Sequence, residues 1–147
     1  MRKTISFQTK FGWISAFEEK GKITEIKFLK TKNVGKSLIL KKLKKMINEY
    51  FSKQKTSFNL PLEINGSLLQ KKIWKELIKI PYGKTKSYGD IAKIVKTSPR
   101  YVGNVCGQNK HLLVVPCHRV IRTDGSLGGF SSSGGLGLKK RLLNLEQ

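Results

Sequence analysis

Three short stretches near the N-terminus, rich in β-branched and aromatic residues, restrict the fold of this chain more than any other feature. They read KTISFQ, GWISAFEE and ITEIKFLK, and the segments TKFG and KGK lie between them. Both intervening segments have the composition of turns, so neighbouring stretches pair as antiparallel hairpins. We therefore predict a three-stranded antiparallel meander over about residues 3–30.

A helix and then a linker follow the meander. Residues 34–51, VGKSLILKKLKKMINEYF, carry apolar side chains close to the helical period, at Leu38, Leu40, Leu43, Ile47 and Phe51. The next segment, residues 52–66, contains Pro61 and has the character of a linker. We therefore expect two subdomains, residues 1–60 and residues 61–147.

The second half carries signals for short helices. Residues 67–80 place one set of apolar side chains on a single helical face, namely Leu69, Ile73, Trp74 and Leu77. Ser87 is a suitable N-cap for YGDIAKIV, with Asp90 at the capping-box position. Ser98, followed by proline, begins another short helix. Two short helices joined by a tight turn predict a helix-turn-helix.

A Gly/Ser-rich loop and a last helix close the chain. The loop, TDGSLGGFSSSGG, is long enough to be functional or mobile. The helix LGLKKRLLNLEQ offers five leucines for burial, at Leu136, Leu138, Leu142, Leu143 and Leu145. The predicted fold class is an α+β or α/β two-subdomain protein. A small antiparallel sheet with a helix comes first, and a mostly helical subdomain with the helix-turn-helix comes second.

The charge of the chain indicates its partner. Thirty Lys and Arg residues face nine Asp and Glu, giving a net charge of +21. This excess favours nucleic acid, with an anionic membrane surface as the weaker alternative. The run KKLKKM (residues 41–46) is typical of one solvated helix face. The sequence has no signal-peptide pattern, no membrane-length apolar run and only two cysteines, so we expect a cytoplasmic or nucleoid-associated protein with free thiols.

The stretch LLVVPCHRVI, residues 112–121, places a thiol beside an imidazole where a buried strand would be apolar. Cys117 could be a packed core thiol and His118 a satisfied core imidazole. Alternatively, the imidazole and a positive field make the thiol a nucleophile. A third group, often a carboxylate, usually orients the imidazole. The acidic residues beyond residue 80 are Asp90, Asp124 and Glu146, and all three are candidates.

The residues present exclude several other chemistries. The four Cys and His residues, Cys106, His111, Cys117 and His118, lack metal-ligand spacing, so we predict no metal. The sequence has no complete phosphate-binding loop, and we predict no cofactor. A thiolate attacks an electrophilic carbon, and in DNA such a carbon is an alkyl adduct on a base. Base flipping would present it to the thiol.

Several motifs resemble those of the O6-alkylguanine-DNA alkyltransferases, the methylated-DNA–protein-cysteine methyltransferases. PCHRV (residues 116–120) is similar to their active-site signature. QKKIWKELIKIPYGKTKSYGDIA (70–92) resembles their Gln-x-x-Val-Trp, Ile-Pro-x-Gly and Ser-Tyr-x-x-Ile-Ala block. SPRYVG (98–103) resembles their Pro-x-x-Val-Gly region, and the closing loop and helix are also similar. The resemblance is specific over residues 67–146 and slight before them.

The resemblance implies a single-turnover transfer of an alkyl group from O6-alkylguanine, and from O4-alkylthymine, to Cys117. His118 would deprotonate the thiol through a water, and Glu146 would orient His118. Tyr88 would donate to guanine N3, and Asn109 would brace the turn before the acceptor. The base pocket would comprise Val120, Phe130, Ser133 (or Ser131), Gly134 and Lys139. Arg119 would be structural, tying the two subdomains together.

The resemblance also implies a monomer that binds double-stranded DNA through the minor groove, without an obligate protein partner or a membrane. Arg100 would enter the base stack in place of the flipped base. The other DNA-contacting residues would be Ser98, Tyr101, Gly103 and Lys110. Lys110 stands where the family usually has proline, Phe130 stands where tyrosine is frequent, and the loop after it is longer than usual.

Three alternative functions fit parts of the sequence. A Cys-His-Glu hydrolase would use the same nucleophile, although the charge of +21 argues against a peptide substrate. A module that binds alkylated DNA without transfer would need no acceptor, yet Cys117 is present. A DNA-coating or transcription protein would use the helix-turn-helix but would leave PCHRV and the Gly/Ser loop without a purpose.

Overall fold

The computed structural model describes residues 1–54, 57–129 and 135–147. The chain packs as two units, the first formed by Met1–Ile64 with Lys110–Leu112 and the second by Asn65–Asn109 with Leu113–Gln147. No sequence pattern indicated that residues 110–112 return to the first unit. They do so because the backbone amide of Ile26 donates to the Lys110 carbonyl at 2.7 Å.

The first unit contains the expected meander. Strands β1 (Lys3–Thr9), β2 (Gly12–Glu19) and β3 (Lys22–Lys27) pair in the order β1-β2-β3, and both pairings are antiparallel. The register shifts between Phe17 and Glu18 of β2, where β3 has one extra residue, Thr24. The fold class predicted from the spacing of these stretches is confirmed.

Helix α1 (Leu38–Phe51) packs an apolar face in the first unit, comprising Leu40, Leu43, Ile47, Tyr50 and Phe51. Its N-cap is Ser37, whose hydroxyl accepts from the Leu40 amide at 3.2 Å and donates to the buried Glu18 carboxylate at 2.8 Å. Leu38 was expected on the apolar face but is 77% exposed. It occupies the first helical position, where the chain has not yet turned towards the sheet.

The prediction that residues 52–66 form a linker is partly wrong. The Ile23 amide donates to the Pro61 carbonyl, and the Glu63 amide donates to the Ile23 carbonyl, both at 2.9 Å. The Phe58 ring also lies 6.0 Å from the Tyr50 ring. These residues therefore extend the sheet beyond β3, which would otherwise expose unpaired backbone groups at its edge.

The second unit is mainly helical. It contains α2 (Leu68–Ile78), α3 (Tyr88–Val95), α4 (Pro99–Cys106) and α5 (Gly135–Leu145), with a short parallel pair, β4 (Lys86–Ser87) and β5 (Val120–Ile121). Ser87 and Asp90 form a reciprocal capping box on α3, and the Ser98 hydroxyl caps α4. Both predicted N-caps are confirmed, so the paired helices α3 and α4 begin where the sequence indicated.

The apolar stretch at residues 112–121 is not an extended strand, and that expectation is wrong. Leu113 has a left-handed backbone (φ 74°), and Cys117–Arg119 form one turn of 3-10 helix. Only Val120 and Ile121 pair as a strand. Pro116 lacks an amide proton and cannot donate to a ladder, so the chain turns immediately before the cysteine.

Helix α5 buries four of its five expected leucines, whereas Leu136 is 52% exposed. Lys139, by contrast, is completely buried. Across the described ranges, no helix combines the length and the apolar composition needed to cross a bilayer.

Candidate active site

Cys117 begins the 3-10 turn and is only 3% exposed. The Asn109 side-chain amide donates to its sulfur at 3.2 Å and to the Val115 carbonyl at 2.8 Å. Burial raises the pKa of the Cys117 thiol, against the opposing effects of the Asn109 hydrogen bond and the Lys139 charge. The resting group is therefore a neutral thiol, and any reaction at the sulfur must first remove its proton.

Glu146 is the acid that orients His118. The His118 Nε2 atom lies 2.6 Å from Glu146 Oε2, and both side chains are 1% exposed. The other two candidates are exposed and act locally, because Asp90 caps α3 and Asp124 accepts from Ser126. The choice among three acids that the sequence left open therefore falls on the penultimate residue of the chain.

Arg119 completes a buried network around the same carboxylate. Its Nε and Nη2 atoms donate to Glu146 Oε1 and Oε2 at 2.8 and 3.0 Å, and Nη1 donates to the Ile80 carbonyl at 2.8 Å. These partners all belong to the second unit. The bidentate pair fixes the carboxylate geometrically as well as electrostatically.

The network prepares His118 to act as a base. Burial lowers the pKa of His118, and this effect outweighs the opposing hydrogen bond and charge of Glu146. A carboxylate only accepts hydrogen bonds, so Nε2 carries the proton of the neutral ring and Nδ1 can accept one. Among the described residues, no hydrogen bond joins His118 to the Cys117 sulfur. The bridging water expected from the sequence stays a prediction.

Lys139 is a buried cation whose ammonium group binds backbone carbonyl oxygens. Its ammonium donates to the carbonyls of Val120, Leu127 and Gly129 at 2.7, 2.6 and 3.2 Å, and it lies 3.3 Å from the Tyr88 hydroxyl. Burial lowers the pKa of Lys139, whereas the two cysteines raise it. The residue therefore holds β5 and the following loop next to Tyr88.

Tyr88 and Cys117 face a common cavity of about 710 Å³. The cavity is lined by Tyr88, Pro99, Arg100, Gly103, Cys106, Gly107, Cys117, Arg122, Thr123, Gly128 and Gly129. Burial, followed by the two cysteines, raises the pKa of Tyr88 to about 12. Tyr88 is therefore protonated at neutral pH and can donate a hydrogen bond into the cavity.

Gly128 is a site residue that was not predicted from the sequence. Its backbone is left-handed (φ 72°), and an added Cβ would lie 2.9 Å from the Tyr88 hydroxyl and 3.0 Å from a ring carbon. Only glycine lets the loop approach the ring this closely. The glycine pair in the closing loop was the available signal, although the loop was noted only for its length.

The remaining predicted residues have varied surroundings. Arg100 is exposed beside the cavity, and Gly103 lies on the same helix. Ser98 caps α4 through a 3.1 Å bond from the half-buried Tyr101 amide. Lys110 is exposed on the first unit. Four predicted positions lie outside the described residues, namely Phe130, Ser131, Ser133 and Gly134.

Cys106 was predicted to be a helix-packing thiol, and it also lines the cavity. Burial, followed by the nearby Cys117, raises the pKa of Cys106 to about 12. Its thiol is therefore a poor competitor for an electrophile in the shared space. Within residues 1–54, 57–129 and 135–147, no three His, Cys, Asp or Glu side chains cluster closely enough to hold a metal ion.

Comparisons with known proteins match both parts of the chain. Residues 68–147 match the 6-O-methylguanine DNA methyltransferase, DNA binding domain, and residues 3–64 match its ribonuclease-like domain. A methylated-DNA–protein-cysteine methyltransferase of Metallosphaera sedula is 37% identical over 145 residues, covering 96% of this chain and 90% of that protein.

Two mycobacterial proteins are also similar. The methylated-DNA–protein-cysteine methyltransferase of Mycobacterium bovis is 42% identical over 103 residues, covering 69% of this chain and 61% of that protein. The match thus spans less than two thirds of that relative's length. The crystal structure of Mycobacterium tuberculosis OGT in complex with DNA gives a TM-score of 0.86 at 30% identity, covering 97% of this chain and 92% of that chain.

Proposed function

Because the chain belongs to the 6-O-methylguanine DNA methyltransferase family, we propose that it repairs DNA by moving an alkyl group from guanine O6 to its own Cys117. The observation that carries this proposal is the cavity that Cys117 shares with Tyr88 and Arg100. A nucleophile, a hydrogen-bond donor and a cation of the helix-turn-helix thus line the same cavity. O4-alkylthymine, which presents a similar alkyl oxygen, is the second substrate.

The transfer is one in-line displacement. The Cys117 sulfur forms a bond to the alkyl carbon while the bond from that carbon to O6 breaks. The thiol proton passes through a water to Nδ1 of His118, and the Glu146 carboxylate stabilises the imidazolium that forms. The Asn109 amide, 3.2 Å from the sulfur, stabilises developing thiolate charge. The product is a stable thioether, so each molecule reacts once.

Tyr88 assists the departing base. Its raised pKa keeps the hydroxyl protonated, so it can donate to guanine N3 as negative charge develops on the ring. Lys139 supports the hydroxyl from 3.3 Å. The carbonyls of Cys117 and Val120 read the exocyclic amine, although that of Val120 already accepts from Lys139. The contacts proposed for Phe130, Ser131 or Ser133, and Gly134 complete the pocket.

The DNA partner is a duplex bound by its minor groove. Helix α4 presents Arg100 at the rim of the cavity, where its side chain fills the gap that a flipped base leaves. Tyr101, Gly103 and Lys110 contribute to the rest of the interface, and Ser98 maintains it by capping α4. The protein acts as a monomer without a protein partner, in the cytoplasm or nucleoid where DNA is accessible.

The mass of the intact protein after incubation with an O6-methylguanine oligonucleotide tests the proposal. We expect the wild type to gain one methyl group and Cys117→Ser to gain none. Cys106→Ser is the matched control, since that thiol lines the same cavity, and it should still be methylated. Tight DNA binding without any gain in mass would favour the alternative of a module that binds alkylated DNA without transfer.

The role of Arg100 has a separate test. Replacing Arg100 with Ala should slow repair of a duplex much more than reaction with a free O6-alkylguanine base, because only the duplex requires flipping. Single-turnover rates on both substrates provide the comparison. Equal losses on the two substrates would exclude a role in base flipping.

A further inference from the structure

The positive charge of this chain is not concentrated in the unit that carries the helix-turn-helix. The first unit, Met1–Ile64 with Lys110–Leu112, contains 16 Lys and Arg against five Asp and Glu, a formal charge of +11. The second unit contains 14 against four, a formal charge of +10. The proposed alkyl transfer and base flipping use the second unit, and Lys110 is the one basic residue of the first unit with a proposed DNA contact, so nearly half of the charge is without an assigned role.

Part of this charge lines a groove along α1, which we call the α1 lysine groove. Its volume is about 600 Å³, and it is lined by Ile5, Lys41, Lys44, Lys45, Asn48, Glu49, Ser52 and Gln54. The three lysines are exposed, and Lys42 adds a fourth exposed lysine on the same helix. From Lys41 to Ser52 the row of polar side chains extends about 16 Å along the helix axis. A row of this length suits a linear polyanion better than a single phosphate group.

One carboxylate, that of Glu49, lines the groove, but it forms no ion pair with the three lysines. Within the described part of the chain, no carboxylate lies within ion-pair distance of Lys41, Lys44 or Lys45. Lys44 has only a distant ring contact, 5.7 Å from the centre of Phe7. Like charges three or four residues apart along a helix repel one another and destabilise it. A bound polyanion would remove this repulsion.

The composition of the groove favours nucleic acid over a lipid surface. Helices that bind bilayers insert an apolar face. The apolar face of α1 is already buried in its own unit, through Leu40, Leu43 and Ile47. Besides the apolar Ile5 and the acidic Glu49, the lining includes Asn48, Ser52 and Gln54, and neutral polar groups of this kind bind phosphate oxygens.

We propose that the α1 lysine groove is a second nucleic-acid site, which binds the phosphate backbone of a duplex without reading its sequence. This site does not depend on the proposed alkyl transfer. It gives the protein a non-specific hold on DNA that is separate from the contacts of α4. The lysines supply charge, and the neutral side chains that follow them along α1 supply hydrogen bonds.

Lysine footprinting locates the site directly. The full-length protein is acetylated in the presence and absence of a saturating unmodified duplex, and each lysine is quantified by mass spectrometry. We expect the reactivity of Lys41, Lys44 and Lys45 to fall several-fold with the duplex, while Lys20 and Lys22, exposed at a turn outside the groove, keep theirs. Unchanged reactivity at the groove would overturn the proposal. An RNA duplex in a parallel arm identifies which backbone is preferred.

Charge-matched variants test the contribution to affinity. The triple variant Lys41→Gln, Lys44→Gln and Lys45→Gln is compared with the control Lys20→Gln, Lys22→Gln and Lys32→Gln, three exposed lysines outside the groove lining. Each lost phosphate contact lowers the slope of log K against log salt by about 0.9, so the groove variant should lose up to about 2.7. Its affinity at 0.1 M salt should fall roughly tenfold or more. Equal effects of the two triples would mean that only total charge matters and would overturn the site.

Further measurements distinguish loss of nucleic-acid binding at the groove from unfolding of a variant and from binding to a lipid surface. Melting temperatures show whether each triple variant is folded. Vesicles containing phosphatidylserine form the lipid arm, and a groove variant that loses vesicle binding while keeping duplex binding would overturn the nucleic-acid assignment. Methylation of wild-type Cys117 is measured independently. Absence of methylation with a protected groove would refute alkyl transfer alone, whereas methylation with an unprotected groove would refute this second site alone.

Discussion

The strongest stability prediction concerns the buried ion pair of Arg119 and Glu146. Replacing Glu146 with Gln preserves the volume of the side chain but removes the charge that balances a guanidinium only 5% exposed. Arg119 would keep its bond to the Ile80 carbonyl, but the amide at position 146 has one acceptor oxygen in place of two, so at least one of the bonds of 2.8 and 3.0 Å is lost and the other no longer joins two charges. Such bonds are each worth about 1.5–3 kcal/mol, and breaking a buried pair costs about 3–5 kcal/mol.

Urea denaturation of four proteins measures this cost. Glu146→Gln and Arg119→Met should each lower the free energy of unfolding by about 3–5 kcal/mol. The double variant should lose less than the sum of the two, with a coupling of about 2–3 kcal/mol, since the second change removes the charge that the first left unpaired.

Glu76→Gln is the control for this experiment. Glu76 pairs with Lys79 at 2.9 Å, but the lysine side chain is 71% exposed, so the change should cost less than about 1 kcal/mol. Additive losses in the double variant, or a Glu146→Gln loss as small as that of the control, would refute the view that the two buried charges stabilise one another.

Three other outcomes follow from the geometry. Gly128→Ala should lower the free energy of unfolding by about 1–3 kcal/mol and displace Tyr88, because the new Cβ meets the Tyr88 ring at a left-handed backbone position. The control Gly137→Ala lies in α5 with open space around it and should raise the free energy of unfolding by about 0.5–1 kcal/mol. Equal effects of the two substitutions in thermal melts would contradict this reasoning. Burial lowers the pKa of both histidines, so the unfolded chain binds more protons than the folded chain below about pH 6.5. The free energy of unfolding should therefore fall as the pH drops from about 7 to 5. A flat profile over this range would argue against neutral buried rings. Asn109→Ala should slow methyl transfer about 10- to 100-fold, because it removes the hydrogen bond that the Asn109 amide donates to the Cys117 sulfur. An unchanged single-turnover rate would show that this bond does not stabilise the thiolate.

Local signals in the sequence were sufficient for much of the fold. The meander follows from strands joined by short turns, and the caps at Ser87 and Ser98 follow from contacts within three residues of each serine. Such features depend on neighbours along the chain, so composition and spacing reveal them. The proposed reactive pair of Cys117 and His118 also stood out, since polar groups interrupt an apolar run.

Features that depend on distant partners could not be predicted. The segment around Pro61 resembled a linker because its partner, Ile23, lies far away in sequence. Residue types and spacing left three acids open as the partner of His118, and only the family resemblance pointed to Glu146, because the contact requires the fold that brings residue 146 to His118. The apolar run predicted a buried strand at residues 112–121, but the left-handed Leu113 and the 3-10 turn that follows Pro116 prevail there.

The way Lys139 holds its loop bears on how this protein can diverge in evolution. Its ammonium binds the carbonyls of Val120, Leu127 and Gly129, and a carbonyl is present in every amino acid. Mutations can therefore change the exposed side chains at positions 122–126 while the path of the backbone is retained. The tolerance is unequal, because the loop depends on a compact ammonium that donates to three carbonyls at once, whereas the guanidinium of arginine is planar and holds its donors in a rigid fork.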